Sequence, residues 1–322
     1  MIRSSAPLVY ILILNYCSLD DTLACLATVR ARDYANLRYL VLDNASPDGS
    51  GNELAKLLPP SSFRQTGANL GYAGGNNIGF DIALAAGADY VFVVNPDVRM
   101  PSDAITKYVG LMEEDASISA LNPIQLCTGD SIDGMFAREM FDKNDHARPG
   151  LPVDEALHWE VRTLFGAALF IRRSTLLRVG GFDPLYFAYW EEVDLCRRIR
   201  HHGGRLIVCG AAPVLHLRSY LAQGANRRRS FLRLKGMYLY RLKNPQADFG
   251  SALKAASKEI LKCIAKPPES TFGWTRGQYL QTLAWIMMHR RKIAAHRAID
   301  LHGAGYIQSG HEARDSGRAS PI

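Results

Sequence analysis

The chain begins its regular structure with an unbroken apolar run, Leu8-Val9-Tyr10-Ile11-Leu12-Ile13-Leu14. Its β-branched and aromatic members predict a strand covered on both faces. Ser18 with Asp21 has the spacing of a capping box and predicts a helix over 19–30. A strand over 38–42 follows, then a short helix opened by Ser50 with Glu53 and stopped by Pro59-Pro60. The alternation continues with a helix over 76–86, a buried strand over 90–94, a proline-led helix over 101–114 and a strand over 118–121. Residues 127–160 lose the period and are rich in Asp, Gly, Pro and His, which predicts a long loop over a site. Strands over 167–171 and 206–209 flank a helix over 192–201. Strands alternating with helices predict an α/β fold, a mostly parallel central sheet flanked by helices. From about Ala225 the texture becomes basic and aromatic helices, and 303–322 read as a small, polar, frayed tail. The expected organisation is therefore a domain over 1–220, a basic helical appendage over 221–302 and the tail.

Composition narrows the class. With 322 residues and 48% hydrophobic content, the chain can bury a large core. Its six cysteines show neither a CxxC pair nor zinc spacing, so free thiols in a reducing compartment are expected. The first apolar run is short and leads into Asn15-Tyr16 without a small-residue cleavage site, unlike a signal peptide. No stretch approaches the roughly 20 apolar residues of a spanning helix. A cytoplasmic protein, soluble or peripheral on a membrane, is the expectation. Charge is unevenly placed. Residues 1–217 hold 19 Lys+Arg against 25 Asp+Glu, and residues 218–300 hold 17 against 4. The second part is suited to an anionic surface such as a membrane, and no nucleic-acid-binding motif accompanies the charge.

Three acidic islands stand in order at predicted element ends. Asp43-Asn44-Ala45-Ser46 follows the second strand, Asn95-Pro96-Asp97 follows the buried strand, and Glu191-Glu192-Val193-Asp194 opens a helix. Carboxylates at strand ends gather at the sheet edge where open α/β folds bind ligands. Asp43 can accept the imide N–H of uracil or thymine, although a turn explains its neighbours. Asn69-Leu70-Gly71-Tyr72-Ala73-Gly74-Gly75-Asn76-Asn77-Ile78-Gly79 is glycine-rich but is neither GxGxxG nor a P-loop, so it is either a phosphate or sugar cradle or a tight packing turn. Asp97 offers oxygen to Mg²⁺ or Mn²⁺, and His216 can add an imidazole or be a hydrogen-bonded structural residue. The aromatic run Tyr186-Phe187-Ala188-Tyr189-Trp190 against Glu191 and Glu192 suits a sugar ring beside a carboxylate with a raised pKa, or a helix dipole with its acidic partners.

Ile13-Leu14-Asn15-Tyr16, the 41–50 and 69–79 segments, Asn95-Pro96-Asp97, Phe165-Gly166-Ala167, Gly180-Gly181-Phe182-Asp183, the 186–194 segment and His216 form one ordered series. The series resembles the inverting family-two glycosyltransferases of GT-A fold, in particular the bacterial rhamnosyltransferase-like branch, and covers about residues 6–220. The resemblance implies a GT-A-like, Rossmann-like sheet and a UDP- or dTDP-sugar donor, with dTDP-rhamnose leading. Its acceptor would be a glycan or lipid-linked glycan of the bacterial surface. Asp43 would hold the pyrimidine. Asn15, Asn69, Gly71, Asn77, Asn95 and Trp190 would line the nucleotide-sugar pocket, and Gly166 and Ala167 would admit the sugar. Asp97 and His216 would hold Mg²⁺ or Mn²⁺. Glu192 would be the base, with Glu191 its rival, and Asp194 would support the loop or contact the acceptor. Two positions depart from the family pattern: Asn95 replaces the first Asp of a DxD pair, and Glu192 stands where Asp is common. A sugar-1-phosphate nucleotidyltransferase would want a basic glycine-rich loop near the N-terminus, which Asn15-Tyr16-Cys17-Ser18 is not. A nucleotide-sugar-binding membrane protein without turnover draws its support from Asn95 alone.

In the C-terminal segment, Arg227-Arg228-Arg229 precedes an aromatic and aliphatic stretch from Phe231 to Arg241, and 279–288 is followed by His289-Arg290-Arg291-Lys292. These are either helices packed on the main domain or interfacial helices on anionic lipid.

Overall fold

The structure is a computed structural model that describes residues 6–128, 131–218, 226–268 and 273–307. Strand β1 (Val9–Asn15) is buried throughout and pairs in parallel with β2 (Leu37–Asp43) and β4 (Tyr90–Val94). Its side chains divide by the two-residue period of a strand. Tyr10, Leu12 and Leu14 enter the core on one face of the sheet, and Val9, Ile11 and Ile13 enter the core on the other. Strand β3 (Phe63–Gln65) adds in parallel outside β2.

Beyond β4 the sheet becomes mixed. Strand β9 (Ala168–Arg172) runs antiparallel to both β4 and β6 (Ile118–Cys127), and β10 (Arg205–His216) again runs parallel to β6. The short β5 (Val98–Arg99) closes the order β3-β2-β1-β4-β9-β6-β10-β5 by pairing with Leu215 and His216. That pairing brings His216 opposite Val98, one residue after Asp97.

Helices α1 (Leu19–Arg30), α2 (Ser50–Leu57), α3 (Gly71–Ala85) and α4 (Ala104–Glu114) cover the first half. Ser18 stands at the start of α1 without a side-chain cap, and α2 is entered through left-handed Gly49 with Ser50 already helical. Helix α3 begins five residues earlier than the pattern predicts, because its glycines are helical. They let the helix press on β1: a Cβ at Gly75 would lie 2.7 Å from Leu14 Cδ1, and one at Gly79 would lie 2.7 Å from Leu12 Cδ1.

The 127–160 segment is not a loop over the cleft described below. It holds β7 (Ser131–Ile132), α5 (Gly134–Met140) and β8 (His158–Glu160), and Phe136, Met140 and Phe141 are buried in the core. A seven-residue helix is too short to show a period in sequence. Helices α6 (Arg173–Val179) and α7 (Glu191–His201) complete the main body.

Helices α8 (Arg227–Leu242), α9 (Phe249–Ala265) and α10 (Arg276–His302) share a third core that also takes in Leu185 and Tyr186. Residues 303–307 are ordered rather than frayed: Ala304 N–H donates to Arg178 O at 2.7 Å and Gly181 N–H to Gly305 O at 3.0 Å. The rest of the expected tail, 308–322, lies outside the described residues. All six cysteines are free thiols. Among the described residues no helix is long and apolar enough to cross a membrane.

Candidate active site

An open cleft of about 920 Å³ lies at the C-terminal ends of β1, β2 and β4. Its walls include Asn44 and Asp48 after β2, Asn69, Gly71 and Tyr72 at the start of α3, and Asn95-Pro96-Asp97 after β4.

Asp43 lies behind this wall. Register places it opposite Asn15, whose Nδ2 donates to Asp43 Oδ1 at 2.8 Å. Ser46 Oγ donates to the same oxygen at 2.6 Å, and Ser46 N–H donates to Oδ2 at 3.2 Å. Asn15 also donates to Ser46 and Ser50 and accepts from Thr22, so its amide organises the turn from within rather than facing the cleft. A residue that sequence reasoning passed over, Asn44, holds the glycine-rich segment. Its Oδ1 accepts from Leu70 N–H at 3.0 Å, and its Nδ2 donates to Gly71 O at 3.1 Å and Asn69 Oδ1 at 3.2 Å. Its position in the first acidic island was the available signal.

Gly71 has φ +72°, and a Cβ there would lie 2.2 Å from Phe187 O. The segment is therefore fitted against the 186–190 turn. Asn77 does not line the cleft. Its amide donates to Phe182 O at 2.7 Å and accepts from Phe182 N–H at 2.8 Å, tying α3 to the turn before Asp183.

Asp97 Oδ1 and His216 Nε2 face each other at 3.4 Å, both nearly buried. His216 Nδ1 bonds to Gln125 Oε1 at 3.0 Å, and Nε2 has no hydrogen-bond partner. The tautomer in which Nδ1–H donates to Gln125 Oε1 leaves the Nε2 lone pair toward the Asp97 carboxylate, an arrangement that can take a cation. Among the described residues no cluster of three or more His, Cys, Asp or Glu is present. A divalent ion held by one or two protein groups, substrate phosphates and water needs no more.

Tyr72 connects this pair to the third island. Its O–H donates to Gly166 O at 2.8 Å, and its phenol pKa is raised by burial and then by the charges of Glu191, Glu192 and Asp97. Asn95 N–H donates to Ala167 O at 2.8 Å. Gly166 and Ala167 thus serve as backbone supports of Tyr72 and Asn95, just behind the lining.

Both glutamates open α7, and each leaves Oε2 buried without a partner. Burial pushes Glu192 up to about 6, against backbone hydrogen bonds that favour its charge. Glu191 is raised further, by burial and then by the charge of Glu192, with Lys235 opposing. Both carboxyls are therefore held above the usual carboxylate range, each by burial, and Glu191 also by the charge of Glu192. The turn before them is strained: Phe187, Tyr189 and Trp190 have φ of 64°, 68° and 76°. Each such residue costs about 1–3 kcal/mol and persists where the surroundings over-determine it. Trp190 packs on Tyr240 at 5.4 Å between ring centroids and lies outside the cleft lining.

Asp194 is corrected to a support. It has no exposed surface and accepts from Tyr186, Arg197, Arg198 and Lys243, at 3.0, 2.9, 3.0 and 3.1 Å. These cations hold its pKa far below the usual carboxylate range, although burial opposes them. A side chain so enclosed cannot touch an acceptor.

The model of Glycosyl transferase family 2 matches residues 10–176, more than half of the chain, and the chain belongs to that family. It is similar to the N-acetylglucosaminyl-diphospho-decaprenol L-rhamnosyltransferase of Mycobacterium tuberculosis, at 32% identity over 206 residues. That match spans 56% of this chain and 66% of the relative, just short of two thirds of the relative's length. It is also similar to Rhamnosyltransferase WbbL of Escherichia coli K12, at 25% identity over 234 residues, 65% of this chain and 83% of the relative. Among solved structures, GalNAc-T7 with UDP, GalNAc and Mn²⁺ superposes with a TM-score of 0.60 at 13% identity, over 91% of this chain and 58% of the other. At that identity the likeness is one of fold, and the fold is GT-A-like.

Proposed function

We propose that this chain is an inverting sugar transferase using a UDP- or dTDP-sugar, with rhamnose the leading sugar. Its acceptor is a hydroxyl of a lipid-linked or growing cell-surface glycan. The observation that carries the reading is that Asp97, which faces His216, and Tyr72 line one cleft, while Glu191 and Glu192, outside that lining, stand close enough to Tyr72 for their charges to raise its pKa. The named activities of the mycobacterial and Escherichia coli relatives support the sugar and acceptor classes.

Asp97 and His216 would hold Mg²⁺ or Mn²⁺, which when bound offsets the charge of the departing diphosphate. Asn44 fixes the glycine-rich segment that walls the nucleotide end, and Asp43, set by Asn15 and Ser46, supports the base-binding turn. Glu192 accepts the proton of the acceptor hydroxyl as it attacks the anomeric carbon. A base that titrates near neutrality suits that task.

We also place the protein on an anionic membrane surface. Leu261, Leu280, Met287 and Met288 of α9 and α10 are exposed among Lys258, Lys262, Arg290 and Arg291. Apolar side chains ringed by cations match an interfacial helix. The test is a panel of nucleotide sugars with Mn²⁺ or Mg²⁺ and a polyprenyl-diphosphate-linked acceptor. Release of free nucleoside diphosphate supports the transferase, and release of pyrophosphate defeats it. Co-sedimentation with anionic but not neutral vesicles tests the surface.

A further inference from the structure

The cleft carries both signs of charge. Asp20 and Asp21 of α1, Asp48 and Asp97 line it, with Asp21 paired to Arg99 at 3.3 Å. Arg228 and Arg229 of α8 line it as well, together with Phe187 and Tyr189. The Arg228 guanidinium lies over the Phe187 ring, 5.2 Å from its centroid. Phe187 is fixed in turn by its left-handed backbone and by Ala73 N–H, which donates to Phe187 O at 3.2 Å. The ring under Arg228 is therefore tied directly to the glycine-rich segment. The helix end itself is not the feature. Asn226 Oδ1 already accepts from the backbone N–H groups of Arg228 and Arg229, at 2.8 and 3.4 Å.

We propose that Arg228 and Arg229 form a diphosphate-binding wall in this cleft. The inference rests on the transferase reading, which brings diphosphates to the site. Asp21 is paired with Arg99, but Asp20, Asp48 and Asp97 still repel a diphosphate, and a single divalent ion at Asp97 and His216 offsets only part of that repulsion. Planar guanidinium groups present paired N–H donors that match phosphate oxygens. Two sources share this chemistry: the diphosphate of the nucleotide sugar and the diphosphate that links a glycan acceptor to its lipid. The cleft volume lies near the top of the usual range for a small-molecule site, roughly 300–1,000 Å³, so it is not limited to one mononucleotide.

The experiment compares wild type with Arg228→Gln, Arg229→Gln and the double variant. Each is assayed with a polyprenyl-diphosphate-linked N-acetylglucosamine and with the same sugar on an uncharged alkyl chain. Calorimetry adds UDP against UMP, and dTDP against dTMP. If the donor supplies the diphosphate, donor KM rises about tenfold or more with both acceptors, and the diphosphates lose affinity while the monophosphates do not. If the acceptor supplies it, only the KM of the diphosphate-linked acceptor rises, by about the same factor. Changes within twofold everywhere overturn the wall. If wild type turns over no nucleotide sugar, the transferase reading fails by itself. Inorganic pyrophosphate binding then decides the wall: tenfold weaker binding in the double variant sustains it, and equal or absent binding overturns it.

Discussion

Lys243 Nζ, at the end of α8, lies 3.1 Å from Asp194 Oδ2 in the first turn of α7, and neither side chain reaches solvent. The same ammonium lies 2.5 Å from Asp183 and 2.9 Å from Asp300 of α10. Burial alone would lower the pKa of Lys243, yet three carboxylates raise it above its ordinary value. The helix that begins with Glu191 and Glu192 is thereby fastened to the C-terminal helices by one buried cation. Breaking such a group on one side costs about 3–5 kcal/mol, because the remaining charges stay buried and uncompensated. Lys243→Met is expected to lose stability of that order in chemical denaturation and to lower kcat with it.

Glu192→Gln is expected to lower kcat by about 10²–10⁴-fold, the usual contribution of a general base. In wild type, kcat falls as pH drops through about 6, and the variant lacks that limb. Glu191→Gln is the matching comparison: a loss of kcat equal to or larger than that of Glu192→Gln would move the base role to Glu191. Stability moves the opposite way. A carboxyl raised from 4.5 to about 6 binds its proton more tightly when folded. Its contribution is present below pH 4.5 and is lost as pH rises through about 6. Denaturation at pH 5 and pH 7 should therefore show Glu192→Gln gaining on wild type at the higher pH.

Asp97→Asn and His216→Ala should each weaken Mn²⁺ binding by about tenfold or more, measured by calorimetry in the presence of nucleoside diphosphate. Gln125→Leu tests the orientation of the imidazole. Outer partners of metal-binding histidines typically contribute about 10–100-fold to affinity. Unchanged Mn²⁺ affinity in all three variants would remove the pair from the metal site.

Asn44→Ala leaves Leu70 N–H without the oxygen it donates to and frees Gly71 O. The Leu70 amide is only part-buried, so its loss belongs at the lower end of the range for a lost partner, about 1 kcal/mol. The expected readouts are a lower midpoint of unfolding and a raised donor KM, with acceptor KM little changed.

The α/β alternation was readable because strands such as Val9–Asn15 are apolar throughout and helices such as Leu19–Arg30 carry a clear boundary. The antiparallel β9 was not, because Ala168–Arg172 has the same apolar texture whichever way it runs. The first two acidic islands line the cleft through Asn44, Asp48, Asn95 and Asp97, since strand ends in an α/β sheet share an edge, whereas Glu191, Glu192 and Asp194 stand outside its lining. Sequence could not divide their duties. Asp97 faces a cleft while Asp194 is sealed among cations that stand 3, 4 and 49 positions away in the chain. Tyr72 escaped notice because its partner, Gly166, is 94 residues distant.

The strip from Gly303 to Ile307 lies beside Gly180 and Gly181, shortly before the base-bearing helix. A truncation at residue 220, where the alternating texture ends, would strip Asp183 and Asp194 of their ammonium and uncover Leu185 and Tyr186. A shortened version of this protein therefore has to keep at least the residues through Ile307, and a reporter or affinity handle does not belong before that residue.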